Sequence, residues 1–370
     1  MLKSINKLLT ILMLLSTLSC SNNENKEIKS KNTKKILNIS LKKEYVINDS
    51  DLEDDKKVFR PKELTVDNNG NLYVLDYFDM KIKKFDSKGS FLKEFGGKGS
   101  GPGQLLYPIS PIYFENKIFL SERATNKLVS FDTDGNFLKD IAFEENLPDI
   151  LSVAGDKVIG VSLVFDEKTS GKVFFSSIVN IYNSKFEKKV ELYKETTPFI
   201  MEKIVNPFNS FPAFVGDSEK VFLAPKNVDK YEILEYSLEN GNLLKKITRS
   251  FRKVPYTQDE IEYLLSNTKK ILGLEGEKVK MKNRFKNSIK NIFIDKYKNI
   301  WVVPEYEGKM DRLKADIFSQ EGKLKGKIDI EIPLSSYSRL ETSVKFKNDK
   351  IYIIDKKEAK IYIYSYSYNE

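Results

Sequence analysis

Apolar and polar residues alternate in short runs along most of this chain. KIKKF (81–85) and FLKEF (91–95) have a period of two, which predicts half-buried β-strands. Tight hairpin signals separate such runs: DNNG at 67–70 and SKG at 87–89. Four strands are therefore expected in the first unit, at 63–66, 71–75, 81–85 and 91–95, with a loop at 77–80. One stretch has a different period. Ile261, Leu264, Leu265, Thr268, Ile271 and Leu272 follow helical spacing, directly after the capping-box signature T-x-x-E at 257–260. This predicts a helix over 258–272 within an inserted excursion, 257–287.

The strand pattern repeats. YVLDYFDMKIKKFDSKGSFLKEF, from Tyr73, aligns without gaps to FLSERATNKLVSFDTDGNFLKDI, which starts 46 residues later at Phe119. In both, an apolar strand ends in an acid (Asp76, Glu122), and a second strand ends Phe-Asp before a glycine turn. Weaker copies begin at Asp156, Val221, Trp301 and Ile351, giving six units of about four strands. A repeat of this length built from short strands predicts the blades of a propeller. The last unit, 341–369, has room for three strands, so the strand-like segment 34–47 is expected to complete it. The proline- and aromatic-rich stretch 196–214 is expected to be an ordered, non-helical loop that lines a binding mouth or seals a side of the core.

FGGKGSGPGQL (95–105) has the glycine density of a phosphate-binding loop. The chemistry does not fit. Lys98 is followed by Gly99, where a Walker loop needs Ser or Thr, and no helical pattern follows. The segment is expected to be a tight crossing between two units, pinned by Phe95 and Leu105.

Composition narrows the chemistry. The chain has no histidine, which excludes His-dependent triads and histidine zinc sites. Its single cysteine, Cys20, excludes an intrachain disulfide. Cys20 follows a positive n-region (Lys3, Lys7) and a short apolar run, Leu8–Leu15, too short to span a bilayer. This leader resembles that of bacterial lipoproteins. The resemblance implies a signal peptide over 1–19, lipid attachment at Cys20, a flexible tether over 20–33 and a place in the cell envelope, at the inner or outer membrane. Formal net charge is +9, with lysines and carboxylates interspersed along the body and no arginine-rich stripe. Nucleic acid is accordingly not expected as a partner.

The stretch 60–108 is similar to an NHL repeat, the unit of certain six-bladed β-propellers. The likeness rests on Pro61, Asp67 to Asn71, Tyr73 to Asp76, Phe85 to Gly89 and Phe95 to Leu105. It implies an all-β, six-bladed β-propeller over 34–370, with four-stranded antiparallel blades and the helical insertion between blades four and five. Related propellers bind protein, RNA or carbohydrate, hydrolyse lactones with calcium, or cleave amidated peptides with histidine-ligated zinc. A chain without histidine is incompatible with the last.

Turns alternate sides in a four-stranded meander, so the loop after the second strand and the connector after the fourth share one face. That face is the expected ligand site, formed by Asp76, Tyr77, Phe78, Glu122, Arg123, Lys226, Glu305, Tyr306, Asp355 and Lys356. The expected role is non-enzymatic: a monomeric envelope lipoprotein that binds a protein, peptide or glycan, without cofactor or metal. The alternative is a calcium-dependent, lactonase-like hydrolase using Asp76, Glu122, Glu305 and Asp355. The competing structural role for these acids is to cap loop amides.

Overall fold

The computed structural model describes residues 26–368, apart from 32–34, 49–51, 54–55, 144, 169–171, 202–203, 206–210, 273, 282, 308–311, 333–341 and 348. The expected leader and Cys20 lie outside the described residues. Six sheets surround one central channel, whose wall is made by the inner strand of each. Blade one comprises Pro61–Val66, Leu72–Asp76, Lys81–Phe85 and Phe91–Gly96, close to the strands expected from alternation. Blade two repeats it with Pro108–Phe114, Lys117–Glu122, Lys127–Asp132 and Phe137–Ala142. The inner strands of blades three to six are Ile150–Ala154, Ala213–Gly216, Ile289–Ile294 and Thr342–Lys347.

The hairpins are held by their own side chains. Asp67 accepts from the amides of Asn69 (2.8 Å) and Asn71 (2.9 Å), from the Asn71 side chain and from the buried Tyr73 hydroxyl. Gly70 completes the turn at φ +83°, a conformation that costs glycine little. The same Asp–Asn arrangement returns at Asp295 and Asn299, where the Trp301 indole donates to the aspartate at 3.0 Å. The core lies between blades. Leu75 and Ile82 of blade one pack with Val129 and Phe131 of blade two, all essentially buried. Truncating a buried phenylalanine of this kind, such as Phe85, costs about 3–5 kcal/mol.

Closure follows the expected pattern. The last three strands, Thr342–Lys347, Lys350–Asp355 and Lys360–Tyr368, are completed by Ile39–Asn48, antiparallel to the last of them. A further contact was not legible. Lys26–Lys29 pairs in parallel with the outer strand of blade four, Leu243–Arg249, so this part of the expected tether is docked. Lys26 stands opposite Lys245, near the start of that strand and therefore beside the 238–242 turn. Leu37 then donates to the Lys327 carbonyl of blade five at 2.8 Å, making a belt from blade four to blade six.

Blade three departs from the repeat. Its strands Lys157–Lys168, Lys172–Tyr182 and Lys188–Met201 are about twice the usual length. The stretch 196–214 is thus not a loop throughout. Residues to Met201 continue the outer strand, Ile204–Val205 forms a short strand, and Ala213 opens blade four. Pro198 is tolerated in the long strand because it falls where the outer side is not yet paired; the pairing with Ile204–Val205 begins at Ile200. Helix α1 (Gln258–Leu272) lies between blades four and five as expected. Its capping box is reciprocal: Thr257 N donates to Glu260 and Glu260 N donates to the Thr257 hydroxyl, at 2.9 and 3.2 Å. The excursion continues into Lys280–Met281, which pairs with Ile204–Val205 and ties the insertion to the blade-three extension.

The glycine segment is the crossing from blade one to blade two. Gly97 N donates to the Met80 carbonyl, Leu105 N donates back to Gly97, and Leu105 is fully buried. The strand Pro108–Phe114 follows, with no helix.

Candidate functional site

In each regular blade the inner strand begins, and the second strand ends, on one face of the disc. We call this the loop face and the opposite side the hairpin face. On the loop face the acids that end the second strands turn inward. Asp76 is fully buried and accepts from the amides of Phe59, Arg60 and Phe78, each at 3.0 Å. Glu122 does the same in blade two, accepting from Leu106 (2.8 Å), Tyr107 (2.8 Å) and Ala124 (3.0 Å). Asp355 accepts more weakly from Lys357 and Glu358, both at 3.2 Å, and its second oxygen is buried with no hydrogen-bond partner among the described residues. These acids fasten loop amides that no strand neighbour could satisfy. Burial raises the Asp76 carboxyl above its ordinary pKa, against the three amides and Lys83, which lower it.

Lys83, also buried, lies 3.8 Å from Asp76, 3.4 Å from Asp79 and 3.7 Å from Glu94. Neighbouring Lys81 pairs with Glu94, and 46 residues on Lys127 pairs with Asp140 at 2.6 Å. The acids of this region are therefore engaged locally.

The cations at the mouth are not matched in the same way. Lys62, on the inner strand, sits over the Tyr77 ring at 4.1 Å and the Tyr107 ring at 4.9 Å. The two rings meet edge to face, 5.7 Å apart. Burial lowers the Lys62 pKa to about 8, helped by Lys356, Arg123 and Arg60 and opposed by Glu63. Burial likewise pushes the Tyr77 hydroxyl up to about 12. Arg123 pairs with Asp149 at 2.8 Å. Beside them Phe59 and Phe78 pack at 5.3 Å while remaining 45% and 65% exposed. Leu106 and Tyr107 are also exposed.

Of the expected site residues, Tyr77, Arg123 and Lys356 thus gather around Lys62, Phe78 follows Tyr77 and packs on Phe59, and Asp76 and Glu122 cap the adjoining loops. Lys226 and Glu305 form a second group at blades four and five. There burial lowers Lys226 to about 8, with Glu305 opposing the shift and Lys290 adding to it. The Tyr306 hydroxyl donates to the Arg312 carbonyl, and Lys314 covers its ring at 4.9 Å. Lys62, Tyr107, Phe59, Arg60 and Asp149 were missed. A usable signal existed: F-R-P at 59–61 recurs as L-Y-P at 106–108, each leading into an inner strand.

The channel encloses about 610 Å³. Across it Glu63 accepts from Ser343 at 3.1 Å and pairs with Lys345 at 3.4 Å, joining blades one and six. Among the described residues, no group of three or more His, Cys, Asp or Glu side chains could hold a metal ion. A calcium ion at Asp76 and Glu122 would have to share their carboxylate oxygens with the amides they cap.

No curated protein matches the sequence. Among solved structures, a Bacteroides fragilis NCTC 9343 protein described as exported is 14% identical, with 94% of this chain and 99% of that one aligned and a TM-score of 0.55. A member of the DUF4221 family from Bacteroides vulgatus ATCC 8482 is 12% identical over 91% of this chain and all of its own, with a TM-score of 0.53. At such identities the likeness is one of fold. Virginiamycin B lyase from Staphylococcus aureus is 10% identical over 89% of this chain and 99% of its own, at a TM-score of 0.46. The family profile described as "6-bladed beta-propeller" matches residues 22–212. The chain belongs to that family, DUF5128.

Proposed function

We propose that this protein is a binding module whose loop face holds a protein partner. The observation that carries the reading is the division of labour at that face. The acids cap backbone, while Phe59, Phe78, Leu106 and Tyr107 stand exposed among cations. Exposed apolar surface with tyrosine and arginine in it is the composition of protein-binding hot spots. The calcium hydrolase reading asks acids already engaged with backbone amides to take on a metal as well, and is the weaker of the two for that reason.

Lipid attachment at Cys20 complements this role. The chain reaches the outer rim at Lys26 beside the 238–242 turn, on the hairpin side. Five residues separate Cys20 from Lys26, a reach of at most about 20 Å. A lipid there would hold the hairpin face toward the membrane and turn the loop face away from it.

A photo-crosslinking residue at Phe78 tests the proposal, with the same residue at exposed Tyr297 of the hairpin face as reference. A discrete protein adduct from position 78 alone is expected in the cell envelope. Adducts from position 297 alone, or from neither, would refute the loop face as the binding surface. Hydrolysis of lactones that needs calcium and is lost in Glu305→Gln would favour the enzyme.

A further inference from the structure

The Lys62 site has the properties of a receptor for one negative charge. Among the described residues, Lys62, Arg60 and Lys356 have no carboxylate partner, and the acids around Lys62 are occupied, while Asp355, next to Lys356, spends one oxygen on the amides of Lys357 and Glu358. Asp76 and Glu122 hold backbone amides. Asp149 holds the Leu163 amide at 2.8 Å and the Arg123 guanidinium. Glu63 holds Ser343 and Lys345. Lys62 is half-buried, so solvent screens its charge incompletely, and the two tyrosine rings fix the position of its ammonium. A lone cation in such a place costs stability unless a ligand completes it.

We propose that Lys62, bracketed by Tyr77 and Tyr107, is the anchor for a carboxylate of an acidic, apolar peptide segment on the partner. The inference rests on the loop-face reading and adds the ligand's chemistry to it. Arg60 and Lys356 extend the positive field around the anchor, and Arg123 contributes despite its pairing, being 41% exposed. Phe59 and Phe78 offer an apolar surface beside it, which a neighbouring leucine or phenylalanine of the peptide would cover. That adjacent apolar area favours a peptide over a sugar acid, whose polar ring gains less from phenylalanine and leucine.

The charge makes the site sensitive to pH. The groups that bear on Lys62 are Lys356, Arg123 and Arg60, which oppose its protonation, and Glu63, which favours it. Tyr77 and Tyr107 pack against it, and Tyr77 stays neutral up to about pH 12. Affinity for an anion is therefore full below pH 8 and falls as pH rises through it. A bound carboxylate raises the Lys62 pKa, so binding above pH 8 takes up protons.

The test uses the whole protein and a labelled, blocked hexapeptide in which glutamate alternates with leucine and phenylalanine. Its Gln-for-Glu counterpart serves as control. Binding is expected to the acidic peptide, at least ten-fold weaker to the control, and at least ten-fold weaker again in Lys62→Met. Lys62→Arg, which keeps the charge, should retain most of it. Equal binding of the two peptides, or wild-type binding by Lys62→Met, overturns the proposal. Polygalacturonate or phosphatidylglycerol vesicles binding in a Lys62-dependent manner, with no peptide binding, would replace the peptide with an acidic glycan or a membrane. The loop-face reading fails separately. A Phe78 adduct that persists in Lys62→Met would leave that face a binding surface and remove only the anchor.

Discussion

The two faces of the disc use carboxylates differently from cations, and the contrast defines the protein. On the hairpin face acids close their own turns: Asp67, Asp132 and Asp295 each accept from amides two and four residues on. The sequence around each turn contains everything the acid needs. On the loop face Asp76 and Glu122 reach back 15 to 17 residues to fasten the lead-in to an inner strand. The acids there are consumed by architecture, and Lys62, Arg60 and Lys356 are left over. On the proposed reading, cations without carboxylate partners beside exposed aromatic rings suit a partner that brings its own negative charge.

The largest effect should come from the structural side of this contrast. Asp76→Ala takes the acceptor from three part-buried loop amides and removes a partner of the buried Lys83, and is expected to lower stability by about 3 kcal/mol in denaturant unfolding. A loss below about 1 kcal/mol would mean the acid is available for other work. Next, Thr257→Ala should remove about 1 kcal/mol from helix α1, read as faster amide exchange in its first turn. Lys62→Met should leave stability unchanged or raise it slightly at neutral pH. The sign follows from its lowered pKa. The folded state holds the Lys62 proton less tightly than the unfolded state, so the destabilisation is complete below pH 8 and is relieved between pH 8 and about 10.5. The wild-type gain over that window should therefore shrink in Lys62→Met, and an unchanged pH profile would contradict the account. Smallest, Phe78→Ser should change stability by no more than about 0.5 kcal/mol while weakening partner binding.

The fold was legible because the repeat is written in local chemistry. Alternation, D-x-x-G-N turns and the 46-residue offset set the strands of blades one and two, and the missing strand of the last unit predicted closure by the N-terminal segment. The capping box placed helix α1 for the same reason: its signal spans four residues. What escaped depends on long-range pairing. Nothing local distinguishes Lys26–Lys29 from a polar tether, since its place on blade four is set by an edge some 220 residues away. The overlong strands of blade three escaped because their length exceeds the repeat, and Pro198 near the end of the third reads locally as a loop.

The candidate site was legible by position more than by chemistry. Strand order put Tyr77, Phe78 and Arg123 on the loop face, where the structure has them, while the acids beside them cap backbone amides. Lys62 gave no sign in the sequence. It is one lysine in an alternating strand, and its character arises from Tyr77, Tyr107 and cations contributed by blades two and six.

The most direct test is the titration of Lys62 itself, followed by nuclear magnetic resonance of its side-chain carbon and nitrogen in the whole protein, assigned through Lys62→Met. The account predicts a midpoint near pH 8 in the free protein, moving upward on addition of the acidic hexapeptide and staying in place with its Gln counterpart. A midpoint near the ordinary lysine value of about 10.4, unmoved by either peptide, would contradict it.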